Sequence, residues 1–123
     1  MKQVKPYYYI YMIQLSNNSI YTGITSDLKE RISNHQKGKG SKIVRSFKPE
    51  KILQAWRVYE DKNIILQIEH CIKKLTKDQK NGLIQNPKTL TDIFFTYSSR
   101  KIHKRTMRNT EIMKLNNELF FSE

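Results

Sequence analysis

The side chains best suited to chemistry are two tyrosines, an arginine, a histidine and a glutamate, spread over some sixty positions. Tyr11 and Tyr21 lie in apolar stretches near the start of the chain, Arg31 and His35 are four positions apart, and Glu69 stands in a later periodic stretch. A guanidinium is a planar, permanently charged donor that suits phosphate oxygens. Phenol, imidazole and carboxylate groups can transfer protons. Brought together, these side chains could bind an anion and move a proton beside it.

Each group also has an ordinary structural explanation. A strand rich in tyrosine is commonly part of a core, and an arginine and a histidine on a helix are commonly solvated. Glu69 alone would be read as an exposed helical glutamate. The joint spacing of the tyrosines with Arg31 and His35 is what favours a shared site over these explanations.

The residues before Arg31 predict two strands joined by a tight turn. The stretch from Tyr7 to Leu15 is aromatic, β-branched or aliphatic apart from one glutamine, and both of its faces are apolar, which indicates a central strand. Asn17 and Asn18 supply the turn, because asparagine tolerates positive φ. A second strand is predicted from Ile20 to Thr25.

A helix is predicted to follow these strands and to carry Arg31 and His35. Asp27 is its expected N-cap, and Glu30 three residues later completes a capping-box pattern. At about 100° per residue, Arg31 and His35 project from the edge of the buried stripe. We therefore expect them to lean toward the tyrosine-bearing sheet.

The motifs Tyr9-Ile10-Tyr11 and Tyr21-Thr22-Gly23, followed by Arg31, His35 and a glutamate in a later helix, resemble the GIY-YIG nuclease signature. The similarity covers residues 7 to 84 and is closest to the small single-domain group, with a YTG variant of the second motif. The first motif has a tyrosine where the name-giving pattern has glycine. That glycine is a backbone and packing feature, so we expect a local difference in geometry and no loss of chemistry.

The resemblance implies a fold of the mixed α/β (α+β) class, with a three-stranded antiparallel sheet flanked by helices. A nuclease-like domain is expected over residues 1–86, and a basic C-terminal extension with a terminal helix over residues 87–123. The apolar face of that helix, which begins near Thr110, could dock on the domain or form a homodimer with a second subunit. The third strand is predicted from Ile52 to Tyr59, with Ile52 and Trp56 on one face and Leu53 on the other.

The resemblance also implies a metal-dependent DNA endonuclease. Glu69 would hold one Mg²⁺ or Mn²⁺, which keeps most of its waters and takes other ligands from the substrate phosphate. Arg31 would bind that phosphate, and His35 would relay a proton or hydrogen-bond it. Tyr11 and Tyr21 would flank the attacking water, one of them as general base. Because a phenol has an ordinary pKa near 10, we expect Arg31, the metal and the basic surroundings to lower it.

The net charge of +12 favours a polyanionic partner. Residues 37–51 are predicted to form a strongly basic loop, in which Gly38 and Gly40 let the backbone approach a phosphate closely. Lys37, Lys39, Lys42 and Arg45 are its candidate phosphate contacts; a solvated connection is the competing interpretation. The resemblance also implies an asparagine shortly after the helix that bears the glutamate, and Asn81, twelve positions after Glu69, is the candidate for this part of the substrate site. Whether the DNA is single- or double-stranded stays open. The cations do not follow one amphipathic helix, which disfavours membrane binding.

The single cysteine, Cys71, cannot form an internal disulfide and excludes a cysteine-based metal site. A buried thiol in a reducing, cytoplasmic compartment is expected. The alternative function is a nucleic-acid-binding module on the same scaffold that does not cleave.

Overall fold

The computed structural model describes residues 7–121, which form a four-stranded sheet covered by helices on both faces. The sheet order is β2-β1-β3-β4, with every neighbouring pair antiparallel. The elements in chain order are β1 (Tyr8–Leu15), β2 (Ile20–Thr25), α1 (Leu28–Gln36), α2 (Lys42–Ser46), β3 (Pro49–Val58), α3 (Lys62–Lys73), α4 (Lys77–Gln85), a 3-10 turn (Pro87–Thr89), α5 (Leu90–Ser98), β4 (Lys104–Thr106) and α6 (Asn109–Leu119).

The central strand β1 divides the hydrophobic core into two halves. Ile10 and Met12 face one half, which α3, α4 and α5 cover. Tyr11 and Ile13 face the other half, which α1, α2 and α6 cover. The alternation of apolar residues along a strand covered on both faces produces this arrangement. The predicted central position of β1 and the mixed α/β class are confirmed.

The sheet has a fourth strand that the sequence did not predict. Lys104–Thr106 pairs with the end of β3, with Thr106 opposite Trp56 and Lys104 opposite Val58. This strand is three residues long, polar and strongly basic, so it carries none of the apolar alternation from which strands are predicted. The predicted three-stranded sheet therefore becomes four-stranded.

A bulge in β3 reverses the predicted faces of two residues. Met12 pairs with Gln54 and Ile13 pairs with Ile52, so Leu53 is an extra residue on the β3 side. Because one inserted residue shifts the alternation, Ile52 joins the α6 half of the core and Leu53 packs against the α3 half. The prediction that placed Ile52 beside Trp56 was wrong for this reason.

Two local expectations also change. The stretch 37–51 is not one loop, because it contains α2 and the start of β3. At the start of α1, Asp27 accepts a hydrogen bond from the Glu30 backbone N–H, as predicted. The Asp27 N–H, however, donates to Thr25 Oγ1 rather than to the glutamate, so the capping box is half formed.

Helix α6 docks on the chain's own core. Ile112 is buried there, and the Asn116 side chain donates to Ile52 O at 2.9 Å and accepts from Ile52 N at 2.7 Å. Gln36 Nε2 also donates to Leu119 O at 2.5 Å. Of the two predicted uses of this apolar face, docking on the domain is observed and a homodimer is not supported.

The segment beyond residue 86 contributes buried side chains to both halves of the core, including Phe94 and Met107. The domain boundary after residue 86 stays a prediction. The first predicted domain includes residues 1–6 and the second includes residues 122–123, which lie outside the residues that the structure describes. No helix within residues 7–121 has both the length and the apolar character needed to cross a bilayer.

Candidate active site

A buried phenol–imidazole pair forms the centre of the candidate site. Tyr11, in the middle of β1, is 1% exposed, and His35, in the last turn of α1, is 2% exposed. Their Oη and Nε2 atoms are 2.9 Å apart. The sheet therefore positions the phenol, and α1 positions the imidazole against it. This agrees with the prediction that His35 points toward the tyrosine-bearing sheet.

The second nitrogen of His35 fixes the direction of that hydrogen bond. Nδ1 lies 3.2 Å from the carbonyl oxygen of Lys39, which can only accept. Nδ1 must therefore carry the proton, and in neutral imidazole this leaves Nε2 as the acceptor of the Tyr11 O–H. Burial lowers the pKa of His35; the Lys39 hydrogen bond opposes this shift, and the Arg31 charge adds to it. These effects favour the neutral ring.

Two glycines make room for the pair. Gly23 lies opposite Tyr11 in the β1–β2 register, and a Cβ at this position would overlap the Tyr11 hydroxyl. Gly40 has a φ of +125°, and a Cβ there would overlap the His35 ring. The sequence interpretation gave the loop glycines a role in approaching phosphate, but the space beside Gly40 is filled by His35. A glycine in a strand directly opposite a functional aromatic residue is the signal that was missed.

Tyr21 lies beside this pair on the edge strand β2. Its ring centroid is 5.9 Å from that of His35 and 6.4 Å from that of Tyr11. The Lys73 ammonium lies 5.9 Å from the Tyr21 centroid, over the ring. Tyr21 is half-buried, so its phenol is more accessible to solvent than that of Tyr11.

Glu69 reaches the site from α3 through Lys73. The glutamate side chain is 17% exposed, and its Oε2 is 3.4 Å from Lys73 Nζ. The carboxylate is thus turned away from bulk solvent and shares a cation with the Tyr21 ring. Sequence analysis did not single out Lys73, although its position four residues after Glu69 on a helix could have predicted the ion pair.

A divalent ion is compatible with Glu69 as a one-carboxylate site. Among residues 7–121, no three His, Cys, Asp or Glu side chains cluster to form a metal cage. Lys73 shows, however, that this carboxylate already attracts a positive charge. Mg²⁺ commonly uses one or two carboxylates and completes its shell with water and substrate phosphate, so the donor set fits this ion when substrate is bound.

The expected lowering of the phenol pKa is wrong for Tyr11. Burial raises its pKa far above the ordinary value, and the nearby Tyr21 and Glu69 groups raise it further. The Arg31 charge acts in the predicted direction, but its effect is smaller than that of burial. Tyr11 is therefore a neutral phenol in the unliganded protein.

The other predicted site residues differ in how closely they approach the pair. Arg31 is exposed and lines a shallow cavity of about 240 Å³ with Asp27 and Asn34, so it acts on Tyr11 and His35 through its charge. The cations of the basic stretch are all exposed: Lys37, Lys39, Lys42 and Arg45. Asn81 is exposed on α4, and its part in the site stays a prediction.

The fold and this cluster define the class of protein: a mixed α/β domain with a phenol, an imidazole, a second phenol and a carboxylate gathered near one edge of an antiparallel sheet. The profile of the GIY-YIG catalytic domain matches residues 7–82. The chain belongs to this family, which points to nuclease activity.

Three relatives illustrate the similarity to small bacterial proteins. The UPF0213 protein YhbQ of Salmonella arizonae is 43% identical over 77 residues, covering 63% of this chain and 76% of the relative. A UPF0213 protein of Pectobacterium carotovorum is 40% identical over 86 residues, covering 69% and 86%. YhbQ of Escherichia coli O8 is 35% identical over 95 residues, covering 77% and 94%. No solved structure matches the chain.

Proposed function

We propose that this protein is a metal-dependent endonuclease that hydrolyses DNA phosphodiester bonds. The observation that carries the proposal is the 2.9 Å contact between Tyr11 Oη and His35 Nε2, buried beside Tyr21. A buried, oriented phenol–imidazole pair has a stringent geometry that core packing alone does not require. The net charge of +12 fits a polyanionic substrate.

The pair can move a proton away from an attacking water. His35 Nε2 accepts the Tyr11 proton while the Tyr11 oxygen accepts a proton from the water, so the phenol never has to persist as phenolate. This relay suits a phenol whose pKa is raised by burial. Tyr21, half-buried beside both rings, would position the water or serve as the base itself.

The charged residues would hold the phosphate. Arg31 can donate two parallel hydrogen bonds to phosphate oxygens. Glu69 would hold Mg²⁺ or Mn²⁺, and such an ion supplies charge neutralisation at the phosphate and the leaving 3′ oxygen. A divalent ion held by Glu69 would repel the Lys73 ammonium, which lies 3.4 Å from Oε2, so Lys73 would turn toward the phosphate.

Two observations favour the alternative, a nucleic-acid-binding module that does not cleave. Tyr11 has a pKa raised by burial, and Glu69 is already neutralised by Lys73, so neither group is activated in the unliganded protein. Such a module would keep the basic surface and bind DNA without hydrolysis. It would not depend on the Tyr11–His35 contact.

The two functions separate in a cleavage assay. Labelled single- and double-stranded DNA is incubated with Mg²⁺ or Mn²⁺ and wild type, Tyr11→Phe or Glu69→Gln, with Tyr97→Phe as the control at an exposed tyrosine on α5. We expect cleavage by wild type and the control, and a loss of about 100-fold or more in the two site variants. DNA bound but left intact by all four proteins would establish the binding module instead.

A further inference from the structure

Helix α2 and the residue that caps its C-terminus carry two large apolar side chains that no other part of the described chain covers well. Ile43 is 45% exposed and Phe47 is 39% exposed. Val44, between them, is fully buried and fixes the helix to the core. Phe47 is the C-cap of α2, and its N–H donates to Ile43 O at 2.9 Å, so the two residues are one helical turn apart.

The segment that carries this apolar pair is basic. Between Glu30 and Glu50 the sequence contains no acidic residue and six basic ones: Arg31, Lys37, Lys39, Lys42, Arg45 and Lys48. All six are exposed. A partner for this surface must therefore be anionic and must also offer apolar faces.

The same segment is fastened to the candidate active site. Lys39 O accepts from His35 Nδ1 at 3.2 Å, and Gly40 lies directly against the His35 ring. Ile43 follows Gly40 by three residues, which span at most about 11 Å of extended chain. One or two nucleotides bound at the site would therefore reach Ile43 and Phe47.

We propose that Ile43 and Phe47 bind a nucleobase of the substrate strand, while the flanking cations hold its phosphates. The inference rests on the proposed function and adds to it how the strand is held beside the scissile bond. A nucleic acid combines phosphate charge with flat apolar faces, and aromatic side chains stack on bases with little regard to sequence. Apolar side chains flanked by cations also insert between base steps of duplexes. The shared chemistry is contact with an unstacked base.

The test separates apolar from ionic contributions to binding. Affinity for a fluorescent oligonucleotide is measured without divalent ions, as a function of salt, for wild type, Phe47→Ala, Ile43→Ala and Phe95→Ala. Phe95 is a matched control, 46% exposed on α5. We expect Phe47→Ala to weaken binding by about tenfold at every salt concentration, with the logarithmic salt slope unchanged. Phe95→Ala should bind as wild type does.

Variants of the cations should behave in the opposite way. Lys42→Gln and Arg45→Gln should each flatten the salt slope by about 0.7 on single strands or about 0.9 on duplex. A Phe47→Ala variant that binds as tightly as wild type, or that changes the slope as these variants do, overturns the inference.

Direct stacking is measured with 2-aminopurine placed within two nucleotides of the mapped cleavage site, or scanned along the oligonucleotide if none is cut. Its fluorescence should change on binding to wild type and Phe47→Trp, but not to Phe47→Ala at saturating protein. Single-stranded and duplex arms show which form presents the base. No response at any position in either arm overturns the inference. DNA that is stacked on Phe47 and never cut keeps the inference and refutes the nuclease.

Discussion

Replacing Gly23 with alanine tests the geometry at the centre of the site. The new Cβ would lie under 3.0 Å from the Tyr11 hydroxyl oxygen and Cζ, a separation that real Cβ atoms do not adopt. Tyr11 is 1% exposed, so its ring has no free space to enter. The phenol must shift by several tenths of an ångström or more, and the 2.9 Å contact with His35 must lengthen.

Two magnitudes follow for Gly23→Ala. Overpacking of a filled core commonly costs about 1–3 kcal/mol in the free energy of unfolding. A displacement near 1 Å in a catalytic arrangement can cost about 100-fold in rate. Urea unfolding, followed by the fluorescence of the buried Trp56, measures the first, and DNA cleavage measures the second. Salt-dependent DNA binding should not change, because the basic segment is untouched.

A second glycine of this chain, Gly82, provides the control for Gly23→Ala. Gly82→Ala, on α4, has open space for its Cβ and should stabilise the protein by up to about 1 kcal/mol. In a Tyr11→Leu background, which shortens the side chain opposite, Gly23→Ala should cost about 1 kcal/mol less than it does alone. Full stability and full cleavage in Gly23→Ala would refute this reasoning.

Three further predictions concern stability, pH and metal binding. Asn116→Ala leaves two backbone groups of β3 without partners and should lower the free energy of unfolding by about 3 kcal/mol, measured by urea unfolding. Burial lowers the pKa of His35, so as the pH falls this imidazole is protonated in the unfolded chain before it is protonated in the folded protein. The free energy of unfolding should therefore decrease as pH drops below about 6.5, and His35→Gln should remove that part of the pH dependence. Lys73→Gln removes the cation that competes for Glu69 and should raise Mn²⁺ affinity about fivefold to tenfold, measured by electron paramagnetic resonance of free Mn²⁺.

Neighbouring residues supply the controls for the stability and metal-binding predictions. Asn117→Ala and Lys74→Gln alter exposed positions next to the substituted ones and should leave stability and Mn²⁺ affinity unchanged. An Asn116→Ala protein as stable as wild type would show that water replaces the amide. If the free energy of unfolding depends on pH in the same way for wild type and His35→Gln, His35 is not a buried neutral imidazole. Unchanged Mn²⁺ affinity in Lys73→Gln would place the ion away from Glu69.

Local patterns predicted the elements that carry the site. β2 has the predicted bounds, and β1 lies at the predicted central position because both of its faces are apolar. The helical spacing correctly indicated the lean of His35 toward the sheet, whereas Arg31, which was predicted to lean the same way, is exposed. These features depend on residues close together in the chain, so periodicity and capping residues are enough to predict them.

The features that sequence analysis missed depend on pairing between distant segments. The bulge at Leu53 arises only when β3 is aligned with β1, and β4 exists only because β3 offers it a free edge. The role of Gly23 requires the register that places it opposite Tyr11. The direction of the Tyr11 pKa shift likewise reflects how deeply three layers bury one hydroxyl, which no local pattern reports.

The contact between Asn116 and Ile52 has a consequence for solubility. β4 covers only the last part of β3, from Trp56 to Val58, whereas Ile52 lies on the portion that β4 does not reach. Unpaired strand edges invite pairing with another chain and aggregation. One side-chain amide occupies both backbone groups of Ile52, in the manner of an added strand, and α6 shields the surrounding edge. The C-terminal helix thus protects the molecule from self-association at the place where its sheet would otherwise remain open.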